Sequence, residues 1–411
     1  MDAARQSAAV FLALFVFAGY FKAADFLRVV PVDLTLVFGV ITACFCIWFL
    51  GRERRLPPGW WAVLALFLAM AVGLHWPGDL SSYPIQKELR LYSLTALSAA
   101  APLLLLRRER ERRLFVYLVA VLGAVMGILA LAVLVVSGLQ PRLSAFNTNP
   151  ILLARASGFT VLVLCLLYWL GRIRLQIFAP ASASLLCVVL LSGTRGPLIA
   201  LLATVCLTLP FAVALKDARR RVWATVLFGV AGLGAAVVYL ATAWQSIGER
   251  FLRLATGEWG DTETSRSAIW RETAALIAES PLGVGWGRIS EHIQVFNDGE
   301  LLLHPHNIFL EIAAEAGWIA LVIFVVLVGV IGVAGIRSGI RVTETSSISS
   351  ALDRLIVFSA PAYWLGCAMF SGDVNDNRPL WAMLAMALAA QLNSDLDKGV
   401  DAQKSDERPA C

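Results

Sequence analysis

The chain has 411 residues, of which 59% are hydrophobic and 15% are charged, and its mean hydropathy is +0.74. Soluble domains are about half apolar and about a quarter charged, so this composition excludes a water-soluble fold and makes the bilayer part of the solvent. The net charge of +5 lies mostly in short Lys and Arg clusters between apolar runs, which indicates membrane topology and not nucleic acid binding. The long polar loop described below contains no cysteine, so neither a disulfide framework nor a Cys-based zinc site is indicated.

Apolar runs long enough to cross about 30 Å of hydrocarbon recur along the whole chain. They predict an all-α polytopic membrane protein of about twelve transmembrane helices. The first run lacks a convincing cleavage site and is expected to be retained as a helix. The predicted spans are 7–24, 33–50, 59–76, 92–106, 114–137, 150–170, 176–194, 197–215, 222–243, 309–336, 354–371 and 379–393.

Basic clusters predict the orientation of these spans. The clusters follow every second span, and the positive-inside rule places all of them on the cytoplasmic side together with both termini. They are Arg52–Arg55, Arg107–Arg113, Arg172 with Arg174, Lys216–Arg221, and Arg337 with Arg341. The predicted organisation is spans 1–9 in residues 1–243, an outer loop in 244–306, spans 10–12 in 307–393, and a cytoplasmic tail in 394–411 that is expected to be disordered.

The outer loop between spans 9 and 10 is long for a compact membrane bundle, and loops of this kind usually carry function. Long loops escape the positive-inside rule, so the loop arginines need another explanation. These arginines are Arg250, Arg253, Arg266, Arg271 and Arg288. Cap residues and Pro281 predict a helix over 264–280. The glycine-rich turn at 282–287 either contacts phosphate or allows a re-entrant loop to pack.

The loop ends in His304-Pro305-His306-Asn307, directly before span 10. Pro305 interrupts the preceding chain, so His306 or Asn307 is expected to cap the membrane helix. The positive end of the helix dipole disfavours a protonated imidazole, which predicts that His306 is neutral near physiological pH and can act as a general base. A structural role is the first alternative. A zinc site formed by His304 and His306 with His292 is the second.

Further basic residues lie at the predicted outer face. Arg195 follows Ser192-Gly193-Thr194 between spans 7 and 8, and Arg155 lies in the outer part of span 6. An arginine at membrane depth is costly unless it faces a polar cavity or an anion. Together with Lys87 and Arg90 of the second outer loop, these residues predict a basic cavity suited to a lipid-linked phosphate or diphosphate. The alternatives are snorkelling to headgroups or neutralisation by loop carboxylates such as Glu249, Asp261, Glu272 and Glu291.

Several of these short motifs occur together in one known family. His306-Asn307 is followed after nine residues by Gly317, with Glu315 just before it. A Ser-Gly-Thr-Arg-Gly turn at 192–196 and the run from Arg266 through Trp270 to the 281–285 turn precede the histidine. In this order, with about twelve spans and one long loop, the chain resembles the O-antigen ligase family (WaaL type), within the O-antigen ligase/polymerase (Wzy_C-like) superfamily.

The resemblance implies a GT-C-like, metal-independent, inverting glycosyltransferase without a cofactor, at the periplasmic face of the bacterial inner membrane. The implied donor is an undecaprenyl-diphosphate-linked O-antigen glycan, and the implied acceptor is a sugar hydroxyl of lipid A–core. His306 matches the essential histidine of the family, and Arg195 and Arg266 match its essential arginines. Candidates for binding the diphosphate or glycan are Arg155, Arg250, Arg253, Arg271, Arg288, His304, Lys87 and Arg90.

Three other functions are weighed against the ligase. An O-antigen polymerase uses the same donor but a growing glycan as acceptor, and a protein O-oligosaccharyltransferase uses a protein hydroxyl. A transporter of lipid-linked substrates belongs to a different class. The sequence shows no inverted repeat or paired broken helices, and its polar residues gather at one face, which argues against transport.

Overall fold

The computed structural model describes residues 2–21, 32–54, 56–71, 82–138, 142–145, 148–243, 261–297, 300–301, 303–344 and 347–406. The helices are α1 (Asp2–Ala18), α2 (Leu34–Glu53), α3 (Trp60–Met70), α4 (Tyr83–Arg90), α5 (Ala96–Leu105), α6 (Glu109–Ser137), α7 (Pro150–Trp169), α8 (Leu175–Leu191), α9 (Arg195–Val213), α10 (Lys216–Ala243), α11 (Asp261–Glu279), α12 (Ile289–His292), α13 (Ile308–Ile340), α14 (Ile348–Ala368) and α15 (Arg378–Asp406). A π-helical turn, Leu91–Thr95, joins α4 to α5. Two short strands, β1 (Phe296–Asn297) and β2 (Glu300–Leu301), form an antiparallel hairpin.

A helix overlaps each of the predicted spans, as the hydropathy pattern requires. Six of the described helices are long and apolar enough to cross a membrane: α1 with its short extension, α2, α6, α7, α9 and α13. The chain is therefore a helical, multi-pass membrane protein, and a total of about twelve crossings stays a prediction. The tail prediction needs correction, because α15 continues as a helix to Asp406. The small hairpin is a minor addition to the predicted all-α fold.

Charged residues tie several helix ends together at one end of the bundle. Arg107 binds Glu53 of α2 at 2.5 Å, and Arg112 of α6 binds Asp353 of α14 through two hydrogen bonds of 3.0 and 2.5 Å. Arg172 donates to Ser349 Oγ in the first turn of α14. Three of the five basic clusters therefore lie at the same end of the bundle, as the sequence predicts. They are Arg52–Arg55, Arg107–Arg113, and Arg172 with Arg174. Their placement in the cytoplasm stays a prediction.

The helix α14 connects this basic end to the end that carries the candidate site. Its 21 residues span about 30 Å, which is the thickness of the hydrocarbon core. Beyond its last turn follows the polar segment 371–377. Arg155 at the start of α7 and Gly196 at the start of α9 both contact the chain there. The polar side chains discussed below therefore lie at the opposite end from the basic clusters.

The helix α13 is broken at Gly317, where φ is 83° and ψ is 178°. The break leaves backbone groups without helical partners, and the loop segment 281–285 supplies them. Val284 N donates to Ala314 O at 2.8 Å, and Gly285 N donates to Glu315 O at 3.0 Å. On the other side of the break, Trp318 N donates to the carbonyl of Pro281 at 3.0 Å. The loop backbone thereby completes the hydrogen bonding of the helix.

The close approach of segment 281–285 to the break in α13 explains why a glycine occurs on each side of the contact, Gly283 in the loop and Gly317 in the helix. A Cβ at Gly283 would lie 2.5 Å from Glu315 O, and a Cβ at Gly317 would lie 2.6 Å from the carbonyl carbon of Leu282. Both contacts are with backbone, which has no room to move. The turn at 282–287 thus fits the packing interpretation and not the phosphate interpretation, because the N–H groups of Val284 and Gly285 already bond to α13.

Candidate active site

The turn before α13 holds the two loop histidines. Asn307 is the N-cap of α13, and its Oδ1 accepts hydrogen bonds from Phe309 N at 3.0 Å and Leu310 N at 3.3 Å. His306 precedes the cap with φ at +55°, a left-handed conformation that is costly for a residue with a Cβ. Of the two predicted caps, Asn307 is the correct one. His306 therefore does not cap the helix. Strained backbone of this kind clusters at functional sites, which makes His306 a candidate functional residue.

The two imidazoles lie against each other. The ring centroids of His304 and His306 are 4.3 Å apart, with an angle of 69° between the ring planes. Each Nδ1 is buried and has no hydrogen-bond partner among the described residues. Burial lowers the pKa of His306 to about 3, assisted by His304 and then Arg266, and burial lowers the pKa of His304 to about 4. Both rings are therefore neutral near physiological pH and can accept a proton.

The loop helix α11 brings Arg266 to this pair. The helix runs from Asp261 to Glu279 and confirms the predicted loop helix. The positive charge of Arg266 is among the causes that lower the pKa of His306, so the guanidinium lies within electrostatic reach of the imidazole. One turn further along α11, Trp270 Nε1 donates to Pro305 O at 2.7 Å. This bond fixes the histidine turn against the helix that carries Arg266.

We expect Trp270→Phe to destabilise this junction. The substitution keeps an aromatic side chain but removes the pyrrole ring with its N–H donor, and a hydrogen bond of this kind contributes about 1 kcal/mol. The melting temperature in detergent should fall, and amide exchange of residues 303–307 should increase. Trp223→Phe on the exposed face of α10 is the control and should change neither quantity. Unchanged exchange at 303–307 in Trp270→Phe would contradict the role of this bond.

Arg195 comes from the bundle and not from the loop. It is the first residue of α9, after the N-cap Thr194, whose hydroxyl lies 2.7 Å from Ser192 Oγ. The next residue, Gly196, packs against Phe370, because a Cβ there would lie 2.8 Å from Phe370 Cβ. Phe370 leads directly into the polar segment 371–377. Arg195 thus lies at the end of the bundle that carries the histidine turn.

The polar segment between α14 and α15 was missed in the sequence analysis. The carboxylate of Asp373 is buried, and its charge acts to raise the pKa of both His304 and His306, against the stronger effect of burial. Asp373 Oδ1 also accepts a hydrogen bond from Asp376 N at 2.7 Å, which fixes the turn. The signal was present in the run Ser-Gly-Asp-Val-Asn-Asp-Asn at 371–377, where two carboxylates lie between apolar helices.

Arg155 has a structural role in addition to its proximity to the histidines. Its side chain is fully buried and donates from Nε to Ser371 Oγ at 3.1 Å and from Nη1 to Asn377 Oδ1 at 3.1 Å. Nη2 donates to the carbonyls of Cys367, at 3.0 Å, and Ser371. The guanidinium therefore anchors the 371–377 segment to α7. The predicted contact of Arg155 with a diphosphate needs correction, because these hydrogen bonds already use all three guanidinium nitrogens.

Lys87 also differs from its prediction. It lies on α4 with no exposed side chain, and Nζ is 2.6 Å from Glu311 Oε1 and 2.7 Å from Glu315 Oε2. A lysine in two buried ion pairs does not face an outer cavity, so its assignment to the diphosphate is corrected. The sequence alone does not reveal these partners, because both carboxylates lie on α13, more than half the chain away.

Three of the remaining candidates, Arg90, Arg271 and Arg288, lie among the described residues. Arg90 is exposed and donates to Gln86 at 3.5 Å, and Arg271 is exposed and pairs with Glu272 at 3.2 Å. Arg288 is partly buried, and its Nε has no hydrogen-bond partner among the described residues. Arg250 and Arg253 lie outside the described residues. The structure thus brings Arg266, His304 and His306 together.

The zinc alternative lacks a third ligand in the described part of the chain. His292 is exposed on the short helix α12. No group of three His, Cys, Asp or Glu side chains among the described residues is arranged to hold a metal ion.

Residues 180–325 match a family model that is described as O-antigen ligase. The matched segment includes the Arg195 turn, the loop helix with Arg266, the histidine turn and the break at Gly317. A comparison with curated proteins gave no match.

Proposed function

Because residues 180–325 place the chain in the O-antigen ligase/polymerase superfamily, we propose that it is an O-antigen ligase. In this proposal it transfers a glycan from undecaprenyl diphosphate to a sugar hydroxyl of lipid A–core at the periplasmic face of the bacterial inner membrane. The observation that carries the proposal is the neutral His306, held beside Arg266 by the hydrogen bond from Trp270 to Pro305. This arrangement places a base beside a cation that can bind phosphate.

The proposed chemistry is a single displacement. The acceptor hydroxyl oxygen forms a bond to the anomeric carbon while the bond from that carbon to the diphosphate oxygen breaks, which inverts the anomeric centre. The proton of the hydroxyl passes to the imidazole of His306, which acts as general base. The leaving diphosphate takes the electron pair of the broken bond. Asp373, whose charge acts on both histidines, then stabilises the imidazolium that forms.

Arginines supply the charge that the leaving group requires. Negative charge grows on the diphosphate as the bond breaks, and guanidinium groups stabilise it through paired N–H donors. We assign this role to Arg266 from the loop and to Arg195 from the bundle. Arg195 lies at the N-terminus of α9, where the helix dipole also favours an anion. Arg90, Arg271, Arg288, Arg250 and Arg253 are proposed as supporting residues for the glycan or headgroup.

The base assignment predicts an unusual pH dependence. Since burial holds the pKa of His306 near 3, the imidazole loses its basic form only well below its ordinary range. We expect kcat/KM, which reports the free enzyme, to stay flat from about pH 8 to about pH 5. A bound diphosphate adds negative charge and raises the pKa of His306, so kcat should decline at a higher pH than kcat/KM does. An acidic decline of kcat/KM near pH 6.5, the ordinary pKa of histidine, would contradict the assignment.

Charge compensation by arginine alone predicts activity that does not depend on metal. Transfer by the purified protein should continue at its full rate after dialysis against a chelator. Loss of activity on chelation, with recovery on addition of Zn²⁺, would instead support a metal site at the histidine pair.

A polymerase is the second candidate, since the superfamily includes both reactions. The deciding experiment compares lipopolysaccharide and lipid-linked intermediates from a deletion strain. Long glycans that accumulate on the lipid carrier, with uncapped lipid A–core, support the ligase. Core capped with a single repeat unit indicates a polymerase. Normal lipopolysaccharide with loss of a glycosylated protein indicates a protein O-oligosaccharyltransferase, and failure of the donor to reach the periplasm indicates transport.

A further inference from the structure

A fully buried cluster of three charges lies behind the histidine turn. Lys87 of α4 contacts Glu311 and Glu315, which lie four residues apart on one face of α13. All three side chains have no exposed surface. Burying three charges costs several kcal/mol per ion, which is repaid only if the geometry is well defined. Such a cluster is therefore an energetically costly way to hold α4 and α13 together, and it lies directly behind the histidine turn.

The first part of α13 needs an external anchor. The break at Gly317 interrupts the helical hydrogen bonding between residues 308–316 and the rest of α13, so contacts from other segments help to fix their orientation. His306 lies directly before these residues. The loop contributes two hydrogen bonds to this segment, from Val284 N to Ala314 O and from Gly285 N to Glu315 O, and a third, from Trp270 Nε1 to Pro305 O, to the turn just before it. Lys87 provides a contact from the bundle.

The same residue also holds the segment that carries Asp373. The backbone carbonyl of Lys87 accepts a hydrogen bond from Asn375 Nδ2 at 3.1 Å, and Asn375 Oδ1 in turn accepts one from Thr95 Oγ1 at 2.7 Å. Thus the side chain of Lys87 binds the histidine-bearing segment, and its backbone binds the Asp373-bearing segment. One residue of α4 relates the two parts of the site to each other.

The surroundings of the cluster reinforce this function. Lys87 Nζ lies 5.8 Å from the ring centre of Trp286 and 6.0 Å from that of Tyr83, which shield it from water. Trp286 Nε1 donates to Met70 O at 3.1 Å, so the glycine turn is also attached to α3. These contacts hold the ammonium in one place and do not leave it access to a substrate.

We propose that the Lys87–Glu311–Glu315 cluster positions the general base: it fixes the distance between His306 and the Asp373 segment. The inference rests on the proposed transfer function for its kinetic consequence. Lys87 touches no substrate in this arrangement and is a positioning residue. A displacement of about 1 Å at a reacting group costs roughly 100-fold in rate, so loss of this anchor is expected to affect kcat. Donor binding depends on Arg195 and Arg266 and should be little affected.

The test uses a charge-free cluster of similar shape, K87M/E311Q/E315Q, in the full-length protein. We expect kcat to fall roughly 100-fold with KM for the lipid-linked donor near the wild-type value, and amide exchange of residues 303–316 to increase. The matched control is R112M/D353N, which removes a buried ion pair at the opposite end of the bundle. It should lower the melting temperature and leave kcat and exchange at 303–316 unchanged.

The outcomes separate the two proposals. A folded triple variant with wild-type kcat and wild-type exchange overturns the positioning role. If the triple variant does not fold, E315Q and E311Q decide instead, because each removes one of the two ion pairs of Lys87 and leaves the other to support folding. Wild-type kcat together with wild-type exchange at 303–316 in both variants overturns the role. If the wild-type protein itself transfers no glycan, the proposed function fails, and exchange at 303–316 still tests the anchor.

Discussion

We expect His306→Asn to abolish most glycan transfer while leaving the protein folded. Asparagine tolerates the left-handed backbone that His306 adopts at φ +55°, so the turn and its cap can remain intact. In the proposed mechanism, the variant loses the group that accepts the proton of the acceptor hydroxyl. General base catalysis contributes roughly 10²–10⁴-fold, and the rate of transfer from a purified lipid-linked donor should fall by that factor.

The control for this experiment is His292→Asn, an exposed histidine on α12. It should have wild-type activity and a wild-type melting temperature. His304→Asn is informative as well, because the neighbouring ring is a further acceptor in the same turn. Full activity in a folded His306→Asn variant would remove His306 from the mechanism. Unfolding of the variant would show that the ring has a structural role instead.

We expect Gly317→Ala to cause a large loss of stability. The backbone at Gly317 has φ 83° and ψ 178°, a conformation essentially reserved for glycine, and a non-glycine residue there costs about 1–3 kcal/mol. The added Cβ would also lie 2.6 Å from the carbonyl carbon of Leu282. The segment 281–285 would have to leave α13, which removes its hydrogen bonds to the helix. Yield, melting temperature and transfer should all fall.

Gly329→Ala is the matched control, because it lies on the same helix with no atom within 4 Å of the added Cβ. Alanine is favoured over glycine by about 1 kcal/mol in a helix interior, so this variant should be as stable as the wild type or more stable. Gly283→Ala tests the other side of the same contact and should resemble Gly317→Ala. Equal melting temperatures for Gly317→Ala and Gly329→Ala would disprove the inserted-loop arrangement.

Local and periodic features were predictable from the sequence. Long apolar runs define membrane helices because the bilayer leaves few other structures for the backbone. The loop helix followed from its cap residues and Pro281, and the cap before α13 from the polar residues around Pro305. The pairing of His306 with Arg266 followed from a family resemblance and not from the pattern alone.

Contacts between distant segments were not predictable in the same way. Lys87 was assigned to a substrate because a lone lysine near an outer loop resembles an anion ligand, whereas its partners lie on α13. Arg155 was assigned for the same reason, and its acceptors lie beyond α14. Asp373 was missed because a carboxylate in a short loop has no periodicity to mark it. A single sequence shows which residue types are present but not which of them are in contact in the folded protein.

The loop segment that fills the break in α13 has a consequence for protein engineering. Residues 281–285 and residues 314–318 complete one another's hydrogen bonding, so neither is a self-contained module. A chimera that takes its loop from a relative, with the junction before Gly317, would combine the 281–285 segment of one protein with the 314–318 segment of another. The hydrogen bonds between the two segments would then not be matched. The transferable unit therefore begins before α11 and ends after Trp318.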